Sequence, residues 1–255
     1  MKNIIIYNQP NKTSNLKNLI RFFGFVIFAL SVPGCSYNTY SIVEFEKPIK
    51  YINDYTRWDF ETLYGWVDGS QNMNEVINYN GNGVLNIYTR ANTWDRPKIR
   101  TKDRIYNTGK YSWRVFVPEM GVGDMTSIGA FLYFDESHEL DFEIGYGTSA
   151  VRQNLNATID DLIVYTTSQG NPYNTAKHKI KRNQWYTLEI ELLVVNGKYQ
   201  AVWSIDNSEL VRLDLSYGSS IPFYIFCSVE NLTFLGDHIP HQDNYALFDY
   251  VEFSK

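Results

Sequence analysis

The chain has few of the residues that build disulfide frameworks or metal sites. Its 255 residues include two cysteines, Cys35 and Cys227, and four histidines without helical pairing. Two cysteines are too few for a disulfide scaffold, and a catalytic zinc site needs His or Cys ligands at short spacing. The formal net charge is −5 and basic residues form no run. We therefore expect neither a zinc enzyme nor a nucleic-acid-binding protein.

A long apolar run is also missing. Residues 22–32 are apolar and follow a polar lead with scattered lysine and arginine, but a membrane span needs about 20 apolar residues. The run has the length of a signal-peptide core and ends at Pro33-Gly34-Cys35. This arrangement resembles a bacterial lipoprotein signal, which implies lipidation of Cys35.

The predicted organisation is thus a signal peptide over residues 1–35 and a mature domain over residues 36–255. The resemblance implies an exported lipoprotein, tethered through Cys35 at the cell surface or in the periplasm. Plain secretion and an uncleaved anchor remain alternatives.

Aromatic residues are abundant, with 20 Tyr, 15 Phe and 6 Trp. They favour β-strands and also provide flat surfaces for sugar rings. Alternating or continuous apolar segments predict strands at residues 84–89, 111–117, 127–134, 139–144, 185–195, 199–205, 221–229 and 245–253. Asn196-Gly197 is a hairpin signal. These features predict one all-β domain, a sandwich or jelly roll of antiparallel sheets; we expect a monomer.

One strand carries three acids at alternate positions: Glu139, Asp141 and Glu143. Side chains alternate across a strand, so these acids share one face. The intervening apolar residues belong to the core face: Leu140, Phe142 and Ile144. A solvated outer face is one interpretation of the acids. The other is the active site of a retaining glycosidase, which needs a nucleophile and a proton donor roughly 5–5.5 Å apart. The central Asp141 would then raise the pKa of a neighbour by repulsion.

The segment Glu139-Leu140-Asp141-Phe142-Glu143 resembles the catalytic motif of the family 16 glycoside hydrolases, the β-glucanase group with a concanavalin A-like jelly roll. The flanking segments 83–87, 109–118, 184–190 and 248–253 resemble other strands of that family in the same order. The resemblance covers roughly residues 57–255.

The resemblance implies a function and a set of roles. Glu139 would be the nucleophile, Glu143 the acid/base, and Asp141 the residue that orients the nucleophile. The activity would be endo-acting hydrolysis of a β-linked polysaccharide with retention of configuration and without a required cofactor. Asp249 matches a position that binds structural calcium in some family members, and an ordinary turn or strand-edge Asp is the alternative.

The aromatic surroundings depart from the family. Residues 128–133 replace its Trp-rich stretch, so we name other candidates for sugar contact, each of which is also explained as a structural residue: Trp94, Trp113, Tyr133 and His138. We expect residues 168–175 to form a loop over the cleft, and Cys227 to be a buried, inert thiol.

Two other functions fit the same residues. A jelly-roll lipoprotein could bind carbohydrate without cleaving it, and a transglycosylase would use a sugar hydroxyl in place of water. Laminarin, mixed-linkage glucan, agar, carrageenan and other galactans are all possible substrates within the family.

Overall fold

The computed structural model describes residues 54–71, 77–79 and 83–255. Its strands form two antiparallel sheets. These residues lie in one unit, Ile52–Lys255. The signal peptide and Cys35 fall outside them, so export and lipidation stay predictions. Within the described residues, no helix is both long and apolar enough to cross a membrane.

The first sheet contains eight strands, which in chain order are β1 Tyr55–Trp58, β3 Ile77–Tyr79, β4 Leu85–Thr89, β6 Gly109–Val117, β11 Gln184–Val195, β12 Lys198–Ile205, β13 Ser208–Asp214 and β15 Asn244–Ser254. The second contains seven: β2 Trp66–Asp68, β5 Lys98–Thr101, β7 Thr126–Asp135, β8 His138–Gly145, β9 Asp161–Ser168, β10 Asn174–Lys181 and β14 Tyr224–Asn231. A short helix, α1 Ser149–Asn154, and a 3₁₀ turn, Thr233–Leu235, complete the described elements.

The strand orders define the sandwich. The first sheet follows β13-β12-β11-β6-β15-β4-β3, with β1 also paired to β15, and the second follows β10-β9-β8-β7-β14-β5-β2. The Asn196-Gly197 hairpin between β11 and β12 is confirmed, with φ of 52° and 78° at its two residues. The predicted all-β jelly roll of two antiparallel sheets is confirmed.

The core lies between the sheets. Leu140, Phe142 and Ile144 of β8 are fully buried there, as the alternation predicts. Trp113 of β6 is also fully buried, and its Nε1 donates a 3.0 Å hydrogen bond to the Phe226 carbonyl of the opposite sheet. The prediction that Trp113 contacts substrate is therefore wrong, because its ring has no surface to offer a sugar.

The only cysteine within the described residues agrees with its prediction. Cys227 is free and fully buried in β14. Burial raises the pKa of its thiol well above the ordinary value. Because a thiol in this state is neither accessible nor ionised, it is inert.

Candidate active site

The three acids of β8 face away from the core, as predicted. β8 pairs with β7 on one side and β9 on the other, which places it well inside the seven-stranded sheet. On β7, Glu139 is opposite Tyr133, Asp141 is opposite Phe131, and Glu143 is opposite Gly129. Because β8 is an interior strand, the acids are not the charged edge that discourages aggregation.

A cleft of about 430 Å³ lies over this face of the sheet. All three acids line it, and its other lining residues come from β5, β7 and β14 and from neighbouring loops of the sheet: Gly69, Gln71, Arg96, Lys98, Gly129, Phe131, Tyr133, Glu136, Gln169, Phe226, Ser228, Glu230, Leu232 and Phe234. The cleft therefore runs across several strands rather than along one. A trough of this shape suits a segment of an extended polymer.

The acids have different environments. Burial and then the charge of Glu136 raise the pKa of Glu139 to about 7, whereas Lys98 opposes the shift. Burial, Glu230 and Glu139 raise the pKa of Glu143 to about 8. Since the acids interact, they titrate as a group, and burial is the largest cause that raises the pKa of each. A carboxyl that stays protonated near neutral pH is what a general acid requires.

Asp141 is the most buried of the three, with 2% of its surface exposed. Burial, followed by the charges of Glu139 and Glu143, raises its pKa well above the ordinary value. Its hydrogen bond with Glu139 raises the pKa of Asp141 and lowers that of Glu139. The bond therefore favours the ionised form of Glu139 and the protonated form of Asp141.

The loop after β9 reaches the acids, as predicted for residues 168–175. Gln169 Nε2 donates a 2.9 Å hydrogen bond to Asp141 Oδ2, and Gln169 N donates to the Glu139 carbonyl at 3.0 Å. Asn171 Nδ2 ties the same loop to the Ser137 carbonyl at 3.1 Å. The loop itself is shorter than predicted, because β9 includes Ser168 and β10 begins at Asn174.

A buried ion cluster lies in the cleft on the far side of β7. Glu230 Oε2 accepts hydrogen bonds from both Lys98 Nζ and Arg96 Nε, each at 2.6 Å. The side chains of Lys98 and Glu230 are only 7% and 5% exposed. β14 supplies the carboxylate and β5 supplies Lys98, while Arg96 lies just before β5.

Between the acids and this cluster, the floor of the cleft is formed by small residues in one row of the sheet and by aromatic rings in the neighbouring row. Gly129 is opposite Glu143 on one side and Ser228 on the other. Next along the strands, the rings of Phe131 and Phe226 stack at 4.5 Å and 10°. This pair provides a flat apolar surface next to Asp141.

The other predicted sugar contacts divide between cleft and scaffold. Tyr133 lines the cleft, and its hydroxyl donates to Glu136 at 3.2 Å. Trp94 is 49% exposed in the loop before β5 but is not among the cleft residues. His138 is not a cleft residue either: its Nδ1 lies 2.7 Å from Asp135 Oδ1 and its ring packs edge-on against Tyr217. His138 thus supports the β7–β8 hairpin, and its contact with substrate stays a prediction.

The predicted calcium position, Asp249, lies in β15 at a register shift against β6. Calcium takes six to eight oxygen ligands, several of them carboxylates. Within the described part of the chain, no group of three or more His, Cys, Asp or Glu side chains is arranged to hold a metal, Asp249 included. The residues around Asp249 therefore do not fit a carboxylate-built site.

Several cleft residues are not found by sequence reasoning. Lys98 and Glu230 are 132 residues apart, and only the pairing of β5 with β14 brings them together. Phe234 is 45% exposed at the 3₁₀ turn, lines the cleft and packs edge-on against Tyr165. Alternation on β14 places Glu230 and Ser228 on the face opposite Cys227, but no local signal relates them to β8.

Comparisons with known proteins identify the fold. The chain matches no protein-family model and no curated protein sequence. Its structure is similar to that of the Bacillus licheniformis β-glucanase, with 14% identity, a TM-score of 0.57, and coverage of 80% of this chain and 100% of the other. A lichenase from a mouse hindgut metagenome is 15% identical, with a TM-score of 0.55 over 78% and 98% of the chains.

Another similar structure is the Crh5 transglycosylase in complex with NAG. It is 14% identical, with a TM-score of 0.58, and the match covers 80% of this chain and 84% of the other. The chain therefore has the jelly-roll fold of these glucanases and transglycosylases, as the motif resemblance predicts. At identities this low, the likeness concerns the fold alone.

Proposed function

We propose that this protein is an endo-acting, retaining glycoside hydrolase or transglycosylase that cleaves a β-linked polysaccharide. The observation that carries the proposal is the face of β8, where three carboxyl groups with raised pKa values line one cleft across the sheet. The fold shared with β-glucanases and a transglycosylase supports it.

Glu139 is the nucleophile and Glu143 the acid/base in this proposal. A Glu139 oxygen bonds to the anomeric carbon while the bond from that carbon to the leaving oxygen breaks, and Glu143 gives its proton to that oxygen. Water or a sugar hydroxyl then loses a proton to Glu143 and attacks the same carbon. The ester to Glu139 breaks, which restores its carboxylate and the proton on Glu143.

The raised pKa of Glu143 suits its role, and Asp141 assists Glu139. Its side-chain hydrogen bond with Glu139 orients the nucleophile and favours the ionised form of Glu139. The Cα atoms of Glu139 and Glu143 are about 13 Å apart by strand geometry, so the two side chains must lean toward each other over Asp141 to act on one bond.

The test is a reducing-sugar assay over a panel of neutral and sulfated glucans and galactans, followed by NMR of the first product's anomeric configuration. Retention is expected, and E139Q should lose activity by about 10⁴-fold or more because it removes the nucleophile. Inversion, or full activity in E139Q, would contradict the mechanism.

A second experiment separates the two acids. In E143A, azide should restore cleavage of an activated aryl glycoside and give a product of retained configuration. A small anion attacks the glycosyl ester without needing a base. In E139A the same anion attacks the substrate directly, so the product should be inverted.

The Crh5 likeness favours testing transglycosylation in the same assay. Longer products formed when oligosaccharide acceptors are added would identify a transglycosylase. Tight binding of a polysaccharide, unchanged in E139Q and E143Q and without any cleavage, would identify a binding protein and overturn the enzymatic proposal.

A further inference from the structure

The proposed mechanism gives no role to the ion cluster of Glu230, Lys98 and Arg96. Both cations donate to the same oxygen, Glu230 Oε2, and Lys98 and Glu230 are nearly removed from solvent. Burying an ion pair costs desolvation energy that its attraction barely repays, so such a pair is weak evidence of a stabilising role. Its position in the cleft suggests a different role.

Strand register places the cluster beyond the Glu143 end of the acidic strand. Glu143, Gly129, Ser228 and Lys98 form one row across four strands. Glu230 lies two residues past Ser228 on β14, on the side of this row away from Glu139. By sheet geometry, its Cα is about 12 Å from that of Glu143 and more than about 20 Å from that of Glu139.

The space between Glu143 and the cluster holds little side-chain material. The two intervening residues in the row are Gly129 and Ser228, and all four residues belong to one cleft. The charge of Glu230 raises the pKa of both acids, but it is the second-largest cause for Glu143 and the smallest of the causes at the more distant Glu139.

Other charged groups also face Glu143. Glu139 and Asp141 are on its own strand, and both Glu230 and Glu139 raise the pKa of Glu143, after burial. On β9, Tyr165 is opposite Glu143, and the Lys177 ammonium of β10 lies 5.4 Å from the Tyr165 ring centroid.

Two cations act in the opposite direction: Arg96, which lies just before β5, and Lys98 of β5 both lower the pKa of Glu143. Lys98 also lowers that of Glu139. The charge of Glu230 therefore opposes the effect of both cations on the pKa of Glu143. Its ion pair with Lys98 keeps a positive charge near Glu139.

We propose that Glu230 is a positioning residue that keeps a proton on Glu143, and that it holds Lys98 so as to favour the ionised form of Glu139. This inference rests on the proposed function, in which Glu143 is the acid. It adds a fourth carboxylate and two cations to the catalytic arrangement.

The test is the pH profile of kcat/KM in E230Q. This variant removes a negative charge near Glu143 and leaves both cations without an ionic partner, so Glu143 should lose its proton more easily. We expect the alkaline limb to move down by about one pH unit, a typical effect of one nearby charge. An unchanged limb in an active, folded E230Q would overturn the inference.

E189Q provides a matched control. Glu189 is 8% exposed, pairs with Lys110 at 3.3 Å, and belongs to the other sheet. Loss of this ion pair should leave the profile in place. If E189Q moved the alkaline limb as far as E230Q, the shift would reflect a general loss of stability and the inference would fail.

A readout without substrate separates this inference from the proposed function. NMR titration of ¹³C-labelled glutamate side chains, with E143Q for assignment, measures the Glu143 pKa directly. If no substrate is cleaved but the Glu143 titration still moves down in E230Q, the inference about the proton stands and the function fails. If a substrate is cleaved but the Glu143 titration does not move in E230Q, the proposed function stands and the inference about Glu230 fails.

If E230Q does not fold, K98M decides. Removing the ammonium should raise the pKa of both Glu139 and Glu143, so both limbs of the profile and both NMR titrations should move up. Unchanged titrations in folded K98M would overturn the inference.

Discussion

The indole of Trp203 donates a 3.1 Å hydrogen bond to the backbone carbonyl of Asp141. Trp203 belongs to β12 of the eight-stranded sheet and Asp141 to the acidic strand of the other sheet, so the bond crosses the core. Trp203 is 1% exposed and immobilised by packing. The core thus positions the strand whose outer face carries the acids.

Trp203→Phe should lower both stability and turnover. It removes the donor to a buried carbonyl and leaves a small void, a loss of about 2–4 kcal/mol in the free energy of unfolding. We expect kcat to fall about tenfold, since small displacements of catalytic groups reduce rates steeply. Urea unfolding and steady-state kinetics at one pH measure both effects.

Trp113→Phe is the matched control. Trp113 makes the same kind of bond across the core, to the Phe226 carbonyl, but not to β8. We expect a similar loss of stability and a smaller loss of kcat. Equal losses of kcat in the two variants would contradict a specific role for Trp203 in positioning the acids.

The sequence predicts most of the first sheet and the acidic strand, but not all of the second sheet. β9 has the sequence DLIVYTTS, and all eight of its residues are buried. A strand covered on both faces shows no alternation, so periodicity cannot identify it. β10 is missed because lysines fill its outward positions and its apolar content is low.

The same limit applies to the site. Glu139, Asp141 and Glu143 are recognised because they are neighbours on one strand. Lys98 and Glu230 contact each other only through the order of strands in the sheet, which no local pattern encodes. Trp113 is the opposite case. Its aromatic side chain in a flanking strand suggests a contact with sugar, although alternation on β6 places it in the core.

Gln169→Ala should reduce catalysis more than binding. Its amide donates to Asp141 Oδ2 at 2.9 Å, and this bond lowers the pKa of Asp141. Without it, Asp141 has one fewer partner and is less well fixed beside Glu139. A hydrogen bond to a charged or charge-sharing group contributes about 1.5–3 kcal/mol, so we expect kcat to fall about tenfold or more.

Asn171→Ala is the control for this loop. It removes the 3.1 Å bond to the Ser137 carbonyl without touching an acid. If Asn171→Ala lowered kcat as much as Gln169→Ala, the effect would belong to loop order rather than to Asp141.

The free energy of unfolding should fall as pH rises from about 5 to about 9, in part because of Glu143. Its pKa is about 8 in the folded protein against a reference value of 4.5. Between these values the folded state binds more protons than the unfolded state, so raising the pH favours unfolding.

Glu143→Gln should remove this part of the slope. We expect the variant to be more stable than the wild type at about pH 9 by on the order of 2 kcal/mol, with a smaller difference at about pH 5. Urea unfolding at the two pH values measures the difference. His238, whose pKa is raised chiefly by the Ile239 carbonyl, also makes stability fall with pH, but it does so equally in both proteins. Parallel curves for wild type and variant would contradict the burial of Glu143.

Gly129 leaves the floor of the cleft open between Glu143 and the ion cluster. A Cβ at this position would lie 2.3 Å from Ser228 Oγ. Gly129→Ala should therefore cost about 1–3 kcal/mol through overpacking. Ser228→Gly, which removes the clashing atom, should restore most of the stability in the double variant, as a double-mutant cycle measures.

Activity should not return with stability. The added methyl group remains in the cleft beside Glu143 in the double variant, where it reduces the space for a sugar next to the acid. We expect kcat/KM of Gly129→Ala/Ser228→Gly to stay at least about tenfold below that of Ser228→Gly alone, a cost typical of a misplaced reacting group. Full recovery of kcat/KM would mean that substrate does not occupy the floor at Gly129.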